Sequence, residues 1–309
     1  MTNTKEARFE IATVCNHKCM ICPLNNGDFK RAKTIMSTSL FKKLLNKLQI
    51  EAPYITDITI SGMGEPTFDK EYVNKIEIAK SKNYNVYMLS NGSNFIENDI
   101  DYLLENNLLE SIRISLHSLN KEHYREITKT DNLDKVVENI EALISKKNKY
   151  NSTTKIIISA DIIEEYTEDA AELISTYEDR VDLLEIWRPH NWIDWGNYRK
   201  GLRKKTTCGR PFSGPLQIQV DGTINMCCFD YNGDLLLGDF TKQTLNEIFN
   251  SEMYNRLLKF HNGNHNDNLI CRNCDQLYEK DSSIMIYNSK FDINGRINKT
   301  STNYRELKE

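Results

Sequence analysis

The chain lacks any long apolar run. No segment approaches the ~20 consecutive apolar residues that span a bilayer. Near the N-terminus, Lys5, Glu6 and Arg8 interrupt the sequence before the apolar core of a signal peptide could form. We therefore expect a cytoplasmic protein with no membrane partner, whose thiols stay reduced because structural disulfides are rare in proteins that are not exported.

An excess of charge of one sign is also missing. The 309 residues include 40 basic and 44 acidic side chains, which gives a formal net charge of −4. Proteins that bind nucleic acid carry a broad basic surface, and this balance offers none. We expect a small-molecule or peptide substrate and no nucleic-acid partner.

The eight cysteines are the most informative residues that are present. The first set is Cys15, Cys19 and Cys22, with three and then two residues between successive thiols. Three thiolates can bind three irons of a 4Fe–4S cluster and leave the fourth iron without a protein ligand. Zinc is the alternative, but this spacing differs from the paired CxxC frameworks of small zinc modules, and His17 lies inside the motif.

The CxxxCxxC spacing resembles the signature of the radical S-adenosylmethionine (AdoMet) superfamily, and the resemblance extends over about residues 8–190. In that family the open iron binds the amino and carboxylate groups of AdoMet, and one electron releases a 5′-deoxyadenosyl radical. The resemblance implies an enzyme with AdoMet and an AdoMet-binding 4Fe–4S cluster as cofactors. It also implies an external one-electron reductant, such as flavodoxin or ferredoxin, as a partner.

Segments rich in β-forming residues alternate with amphipathic helical patterns along the first two thirds of the chain. The six predicted strands are residues 9–14, 57–61, 85–89, 111–116, 155–163 and 183–188. Such alternation predicts a parallel sheet with crossover helices. We expect an α/β fold, a partial (β/α)6 TIM-like barrel followed by a small Cys-rich twitch/SPASM-like domain, with the reaction site at the carboxyl ends of the strands.

Polar and small residues follow the second, third and fourth predicted strands. The stretch from Ser61 to Pro66 resembles the GGE motif of the superfamily, with Met63 in place of the usual glycine. By this resemblance, the residues implied in AdoMet binding are Met63, Gly64, Glu65, Ser90, Asn91 and Ser115. As isolated features the same residues are typical of turns and helix caps. Ile21 replaces the usual aromatic residue before the third cysteine, so the adenine contacts are left open.

The second cysteine set follows the predicted barrel. Asp221 and Gly222 predict a hairpin with a tight primed turn, and a helix is expected over about residues 244–260. The order Cys…GxxxxC…CxxC resembles the auxiliary-cluster "twitch" module, a short form of the SPASM extension, over about residues 208–276. The resemblance implies a second, auxiliary 4Fe–4S cluster bound by Cys208, Cys227, Cys271 and Cys274. Four thiolates can hold zinc as readily, so a structural zinc site remains the alternative.

All three tryptophans lie near the junction of the two predicted modules: Trp187, Trp192 and Trp195. Aromatic faces beside polar groups are typical of a sugar or cyclitol site, although tryptophans at a junction also serve packing. Arg188 and His190 are candidate catalytic residues that position and deprotonate a substrate hydroxyl. We divide the chain into a barrel (1–190), a linker at the barrel mouth (191–207), the auxiliary-cluster domain (208–279) and a polar tail (280–309). Residues 284–287 of that tail either form an edge strand or stay mobile.

Within the superfamily, the chain resembles the 2-deoxy-scyllo-inosamine dehydrogenases and related carbohydrate-modifying enzymes. The likeness rests on the single auxiliary-cluster spacing and on the run from Leu236 to Asp239 that leads towards the last CxxC. It implies dehydrogenation of a sugar or cyclitol alcohol, with the auxiliary cluster taking an electron and one ketone formed per AdoMet.

Three other functions stay open. Cys228 is left over after seven cysteines are assigned, and as a hydrogen donor it would make the enzyme an epimerase of a carbohydrate or peptide residue. A small buried side chain is the alternative role for Cys228. A peptide maturase is the second possibility; because only fourteen residues precede Cys15, we expect its leader-peptide receptor to be separate or absent. A metal-stapled, non-catalytic binding module is the third.

Overall fold

The computed structural model describes residues 4–25, 27–193, 196–280 and 284–290. No helix within these ranges combines the length and the apolar composition needed to cross a membrane.

Six parallel strands and their crossover helices form the first part of the fold, as predicted. In chain order the elements are β1 (Glu6–Phe9), α1 (Thr38–Glu51), β2 (Asp57–Ile60), α2 (Tyr72–Lys80), β3 (Asn85–Ser90), α3 (Glu97–Glu105), β4 (Ser111–Ser115), α4 (Lys121–Thr128), α5 (Leu133–Tyr150), β5 (Lys155–Asp161), α6 (Asp169–Tyr177) and β6 (Leu183–Trp187). Each strand pairs in parallel with the next one in sequence. This order confirms the α/β class with an open, partial barrel.

The crossover helices form because their apolar residues recur at three- and four-residue steps. In α1, the Ser37 hydroxyl caps the first turn by accepting a hydrogen bond from the Leu40 amide at 3.2 Å. Phe41, Leu44 and Leu48 of that helix are fully buried against the sheet. The same spacing places the apolar face of α5 in the core, as predicted.

Two local predictions for the barrel are wrong. The first strand is Glu6–Phe9 rather than residues 9–14, because the chain beyond Phe9 turns to pair with a later loop through an Ala12–Ile35 bridge. The sixth strand is followed by no crossover helix within the described residues, since the next element is a short strand, β7 (Gly201–Lys204).

The rest of the chain extends the barrel sheet at both edges. Its elements are α7 (Arg210–Ser213), β8 (Leu216–Ile218), β9 (Thr223–Asn225), β10 (Leu236–Asp239), α8 (Leu245–Phe249), α9 (Glu252–His261), β11 (Tyr278–Lys280) and β12 (Ile284–Ser289). The sheet order is β10-β9-β8-β1-β2-β3-β4-β5-β6-β12, while β11 pairs with β7 alone. Of the two alternatives for the tail, the structure has the edge strand, because β12 pairs antiparallel with β6.

The predicted hairpin is present as β8 and β9, but its turn is of another type. Gly222 has a positive φ of 86°, whereas Asp221 is not among the residues with positive φ, and a primed turn with Asp-Gly at its centre needs both. The predicted long helix is split into α8 and α9. Ser251 starts the second of these by accepting a hydrogen bond from the Tyr254 amide at 3.2 Å.

Candidate active site and cysteine centres

The first cysteine set lies in a loop after β1 that is attached to the end of α4. The Lys18 and Met20 amides donate to the carbonyl oxygens of Thr128 and Ile127 at 2.9 and 2.8 Å. Within the motif, the Cys22 amide donates to the Cys19 carbonyl at 3.1 Å. The loop conformation is therefore fixed by backbone hydrogen bonds rather than by the thiols.

The three thiols are in surroundings that disfavour a free thiolate. Burial raises the pKa of Cys15 to about 11 and that of Cys22 to about 12. It also raises the pKa of Cys19, with further contributions from the two neighbouring thiols. A bound metal ion stabilises thiolates in such a place, because its positive charge replaces the protons. These residues therefore fit the metal centre that the motif predicts.

The loop after β2 packs directly against the segment that leads to Cys15. The Gly64 amide donates to the Ala12 carbonyl at 3.2 Å, and the Glu65 amide donates to the Val14 carbonyl at 2.8 Å. A Cβ on Gly64 would lie 2.6 Å from both carbonyl oxygens, so only glycine fits there.

The Met63 amide also donates a hydrogen bond within the protein, to Glu10 Oε1 at 3.0 Å. The protein itself thus uses all three amides of the GGE-like stretch, and the Glu65 carbonyl accepts a hydrogen bond from the Phe68 amide at 3.1 Å. Contact of this stretch with AdoMet stays a prediction.

The buried carboxylate of Glu65 joins the ends of β2 and β3. It accepts hydrogen bonds from the Ser90 hydroxyl at 2.8 Å and from the Asn91 amide at 2.6 Å, besides two from Thr67. Burial raises the pKa of Glu65 and outweighs these donors, which lower it. The side chains of Glu65 and Ser90 therefore hold the strand ends together, and their roles in AdoMet binding stay predictions.

Asn91 lies beside the first cysteine centre, where its Nδ2 atom donates to Asn16 Oδ1 at 2.9 Å and approaches Cys15 Sγ at 3.7 Å. Ser115 ends β4, the neighbouring strand, opposite Ser159 of β5. The fold thus brings Cys15, Asn91 and the GGE-like loop together, with Ser115 on the adjacent strand end.

The second cysteine set surrounds a small cavity of about 20 Å³. The cavity is lined by Cys208, Cys227, Cys271 and Cys274, the four predicted ligands, whereas Cys228 is not among its lining residues. Burial raises the pKa of each of these four thiols, to about 12 for Cys274. The arrangement fits a metal centre with four thiolate ligands, and Cys228, although next to Cys227 in the chain, does not line the cavity.

An aromatic cluster connects the two cysteine centres. The Trp192 indole Nε1 donates to the carbonyl of Ile21, between Cys19 and Cys22, at 3.0 Å. The Trp192 ring also lies 5.0 Å from Phe229, which lines the four-cysteine cavity. Trp187 lies on β6 and its indole donates to Glu185 at 3.2 Å. Trp187 and Trp192 therefore contact different parts of the fold, while Trp195 lies outside the described residues, and the sugar or cyclitol site stays a prediction.

His190 and Arg188, the predicted substrate residues, lie at this junction beside two residues that the sequence analysis missed. His190 Nδ1 is 3.7 Å from the buried Asp275 Oδ2, and the His190 ring packs 5.0 Å from Phe229. The buried Arg199 lies 4.0 Å from Asp275 and donates from Nε to the Arg188 carbonyl at 2.9 Å. The position of Asp275 directly after Cys274 was the only available signal.

A second pair that the sequence analysis did not predict, Arg31 and Glu10, links the barrel to the C-terminal part of the chain. Arg31 donates from Nη1 and Nη2 to the two oxygens of Glu10 at 2.6 and 2.8 Å. Its Nε donates to the Tyr231 carbonyl at 2.7 Å. A carboxylate inside the apolar segment 9–14 was a usable signal, because a buried charge requires a partner.

Two groups of buried thiols on a partial barrel fit two metal centres. The family model of the Radical SAM superfamily matches residues 9–174, and that of the SPASM iron–sulfur cluster-binding domain matches residues 208–275. The chain belongs to the radical SAM superfamily. Its cofactors are AdoMet and 4Fe–4S clusters, as predicted. The individual ligands, the reductant and the cytoplasmic location stay predictions.

Relatives and solved structures agree with this assignment. A probable GTP 3′,8-cyclase from Saccharolobus islandicus (strain L.S.2.15 / Lassen #1) is 23% identical over 296 residues, covering 79% of this chain and 91% of the relative. The fold is similar to that of BtrN in complex with AdoMet and 2-DOIA (TM-score 0.60, 16% identity, 92% of this chain and 100% of that chain). It is also similar to Streptococcus suis SuiB bound to S-adenosylmethionine (TM-score 0.67, 14% identity, 89% of this chain and 71% of that chain).

Proposed function

We propose that this radical AdoMet enzyme dehydrogenates an alcohol carbon of a sugar or cyclitol. The observation that carries the proposal is that Cys208, Cys227, Cys271 and Cys274 line one cavity. With four thiolate ligands, every iron of an auxiliary 4Fe–4S cluster has a protein ligand. Such a cluster has no open iron for substrate, and electron transfer is the role that suits it.

An iron–sulfur cluster fits the four-cysteine cavity better than a zinc ion does. A zinc ion holds four sulfur atoms at about 2.3 Å, which places them roughly 3.8 Å from one another. Among the described residues, no three cysteine sulfur atoms all lie within 4.8 Å of one another. The thiols are therefore spread more widely than a single tetrahedral ion requires, which supports a cluster.

Alcohol oxidation removes one hydrogen atom, one proton and one further electron. When bound, the AdoMet cluster supplies the radical that removes the hydrogen atom, and the auxiliary cluster supplies an acceptor for the remaining electron. His190 takes the proton of the substrate hydroxyl. Its Nδ1 lies 3.7 Å from Asp275 Oδ2, so the Asp275 carboxylate stabilises the imidazolium that forms when His190 takes this proton.

Product stoichiometry tests this proposal. Reconstituted enzyme with AdoMet, a one-electron reductant and a set of sugars and cyclitols is expected to form one ketone per 5′-deoxyadenosine. Cys228→Ala retains ketone formation, since the cavity does not include that thiol. His190→Gln lowers ketone formation about 100-fold, the usual size of a general-base contribution. His265→Gln, at a half-buried histidine that does not line the cavity, is the matched control.

Two results would contradict the dehydrogenase assignment. An inverted alcohol in place of a ketone, abolished by Cys228→Ala, would establish the epimerase. Modification of a peptide without any polyol product would establish the maturase.

Cyclisation of GTP is a second candidate, favoured by the curated names of the relatives that match 79% of the chain. A triphosphate needs cationic side chains that are available to it. Here Arg31 is paired with Glu10, and Arg113 is paired with Glu185. Incubation with GTP, AdoMet and reductant distinguishes the two activities, because a cyclase forms a new nucleotide whereas the dehydrogenase leaves GTP unchanged.

A further inference from the structure

Two buried nitrogen atoms at the four-cysteine cavity have no hydrogen-bond partner within the described part of the chain. They are Nη1 of Arg210 and Nε2 of His261, and both residues line the cavity. His261 is only 2% exposed. Buried donors in folded proteins are almost always satisfied, so each unsatisfied one requires an explanation.

The hydrogen bonds of Thr207 favour one tautomer of His261. The Thr207 hydroxyl oxygen accepts a bond from the Gly209 amide at 2.9 Å and lies 2.9 Å from His261 Nδ1. The hydroxyl proton is then available to Nδ1, which acts as the acceptor. A neutral imidazole with Nδ1 as acceptor carries its proton on Nε2. In this tautomer the unsatisfied Nε2 atom of His261 is an N–H donor.

Arg210 adds a positive charge beside the same thiols. Its side chain lines the cavity together with Cys208 and Cys227. A cluster with four thiolate ligands carries a net negative charge that grows by one on reduction. Hydrogen bonds and positive charge near its sulfur atoms therefore favour the reduced form.

We propose that Arg210 and His261 donate hydrogen bonds to the sulfur atoms of the auxiliary cluster and thereby raise its reduction potential. The inference rests on the proposed function, because it requires an iron–sulfur cluster in the cavity. Neither residue is a ligand. Both are positioning residues that set how readily the cluster accepts the electron from the substrate.

The test measures the midpoint potential of the auxiliary cluster by redox titration with electron paramagnetic resonance. A full-length background with Cys15, Cys19 and Cys22 changed to Ala removes the signal of the other cluster. In this background, His261→Leu and Arg210→Met are each expected to decrease the ratio of reduced to oxidised cluster about tenfold at a fixed potential. For a one-electron couple this is a midpoint lowered by about 59 mV.

Three variants keep the test independent of folding defects. His261→Gln retains a side-chain N–H donor and is expected to restore part of the midpoint potential. His265→Leu, at a half-buried histidine, and Arg203→Met, at an exposed arginine, make the same substitutions at residues that do not line the cavity, and they leave the potential unchanged. If His261→Leu loses its iron, the comparison of His261→Gln with the background decides the outcome.

Unchanged midpoint potentials in His261→Leu and Arg210→Met, at full iron content, would overturn the inference. A background protein that binds zinc or no metal at all would instead overturn the proposed function, so the two failures are distinguishable by metal analysis.

Discussion

Three histidines are buried in the described structure: His17, His117 and His261. Burial lowers the pKa of His17 and of His261 to about 4. It also lowers the pKa of His117, although Asp161 acts in the opposite direction. The Nδ1 atom of His117 accepts a hydrogen bond from the Asp161 amide at 3.1 Å. Protonation at that atom would break the bond, so the folded protein keeps His117 neutral.

This neutrality predicts a pH dependence of stability. Below the unfolded pKa of about 6.5, the unfolded chain binds a proton that folded His117 does not, so the free energy of unfolding falls as the pH decreases. His117→Gln removes this contribution and gives a shallower slope between about pH 5 and pH 7 in denaturant titrations. His265→Gln, at a half-buried histidine, is the control for the histidine-to-glutamine change itself. Equal slopes for wild type and His117→Gln would show that His117 is not held neutral.

At the residue scale, the sequence predicted which cysteines lie around one cavity, but it did not predict the contacts of the neighbouring polar residues. The four cysteines around the cavity follow from motif spacing, including the choice of Cys227 over Cys228. Asp275 and Arg199 could not be paired with His190 from the sequence. Their approach depends on the path of the chain after β6, which no local pattern specifies.

At the scale of elements, the Glu10 carboxylate connects three parts of the fold. Besides its pair with Arg31, it accepts hydrogen bonds from the amides of Met63 and Val220 at 3.0 and 3.3 Å. These residues belong to the GGE-like loop and to the turn between β8 and β9. Glu10 thus positions the predicted AdoMet loop relative to the C-terminal hairpin.

Removal of Arg31, the ion-pair partner of Glu10, is expected to destabilise the folded protein. Arg31→Met leaves the Glu10 carboxylate buried without its ion pair, and loss of one partner of a buried pair lowers the free energy of unfolding by about 3 kcal/mol or more. Lys121→Met disrupts an exposed pair with Asp134 and is expected to cost about 1 kcal/mol or less. Urea titrations compare the two variants. A cost for Arg31→Met no larger than that for Lys121→Met would contradict this role of Glu10.

The sequence predicted which helices and strands are present better than it predicted the residues at which they begin and end. The first strand stops at Phe9 because Glu10 turns towards Arg31, a partner twenty-one residues away. The predicted helix over 244–260 is divided because Ser251 caps a new helix. In both places a side-chain hydrogen bond overrides the apolar pattern, and such bonds are visible only in the folded chain.

At the scale of the whole molecule, the two predicted modules share one sheet and one hydrophobic core. Pairing of β8 with β1 joins the auxiliary-cluster region to the barrel, and the core extends from Phe9 to Phe260. Strand and helix alternation predicts the parallel barrel, because each crossover is local. The β8–β1 pairing joins segments more than 200 residues apart and has no local signal.

The central claim is that this chain holds two iron–sulfur clusters, one at each cysteine centre. Iron, sulfide and zinc per chain after anaerobic reconstitution test it most directly, with a variant in which Cys15, Cys19 and Cys22 are changed to Ala. The account predicts about eight irons in the wild type and about four in the variant. About four irons with one zinc in the wild type would contradict it, because the cavity around Cys208, Cys227, Cys271 and Cys274 would then hold a structural ion that accepts no electron.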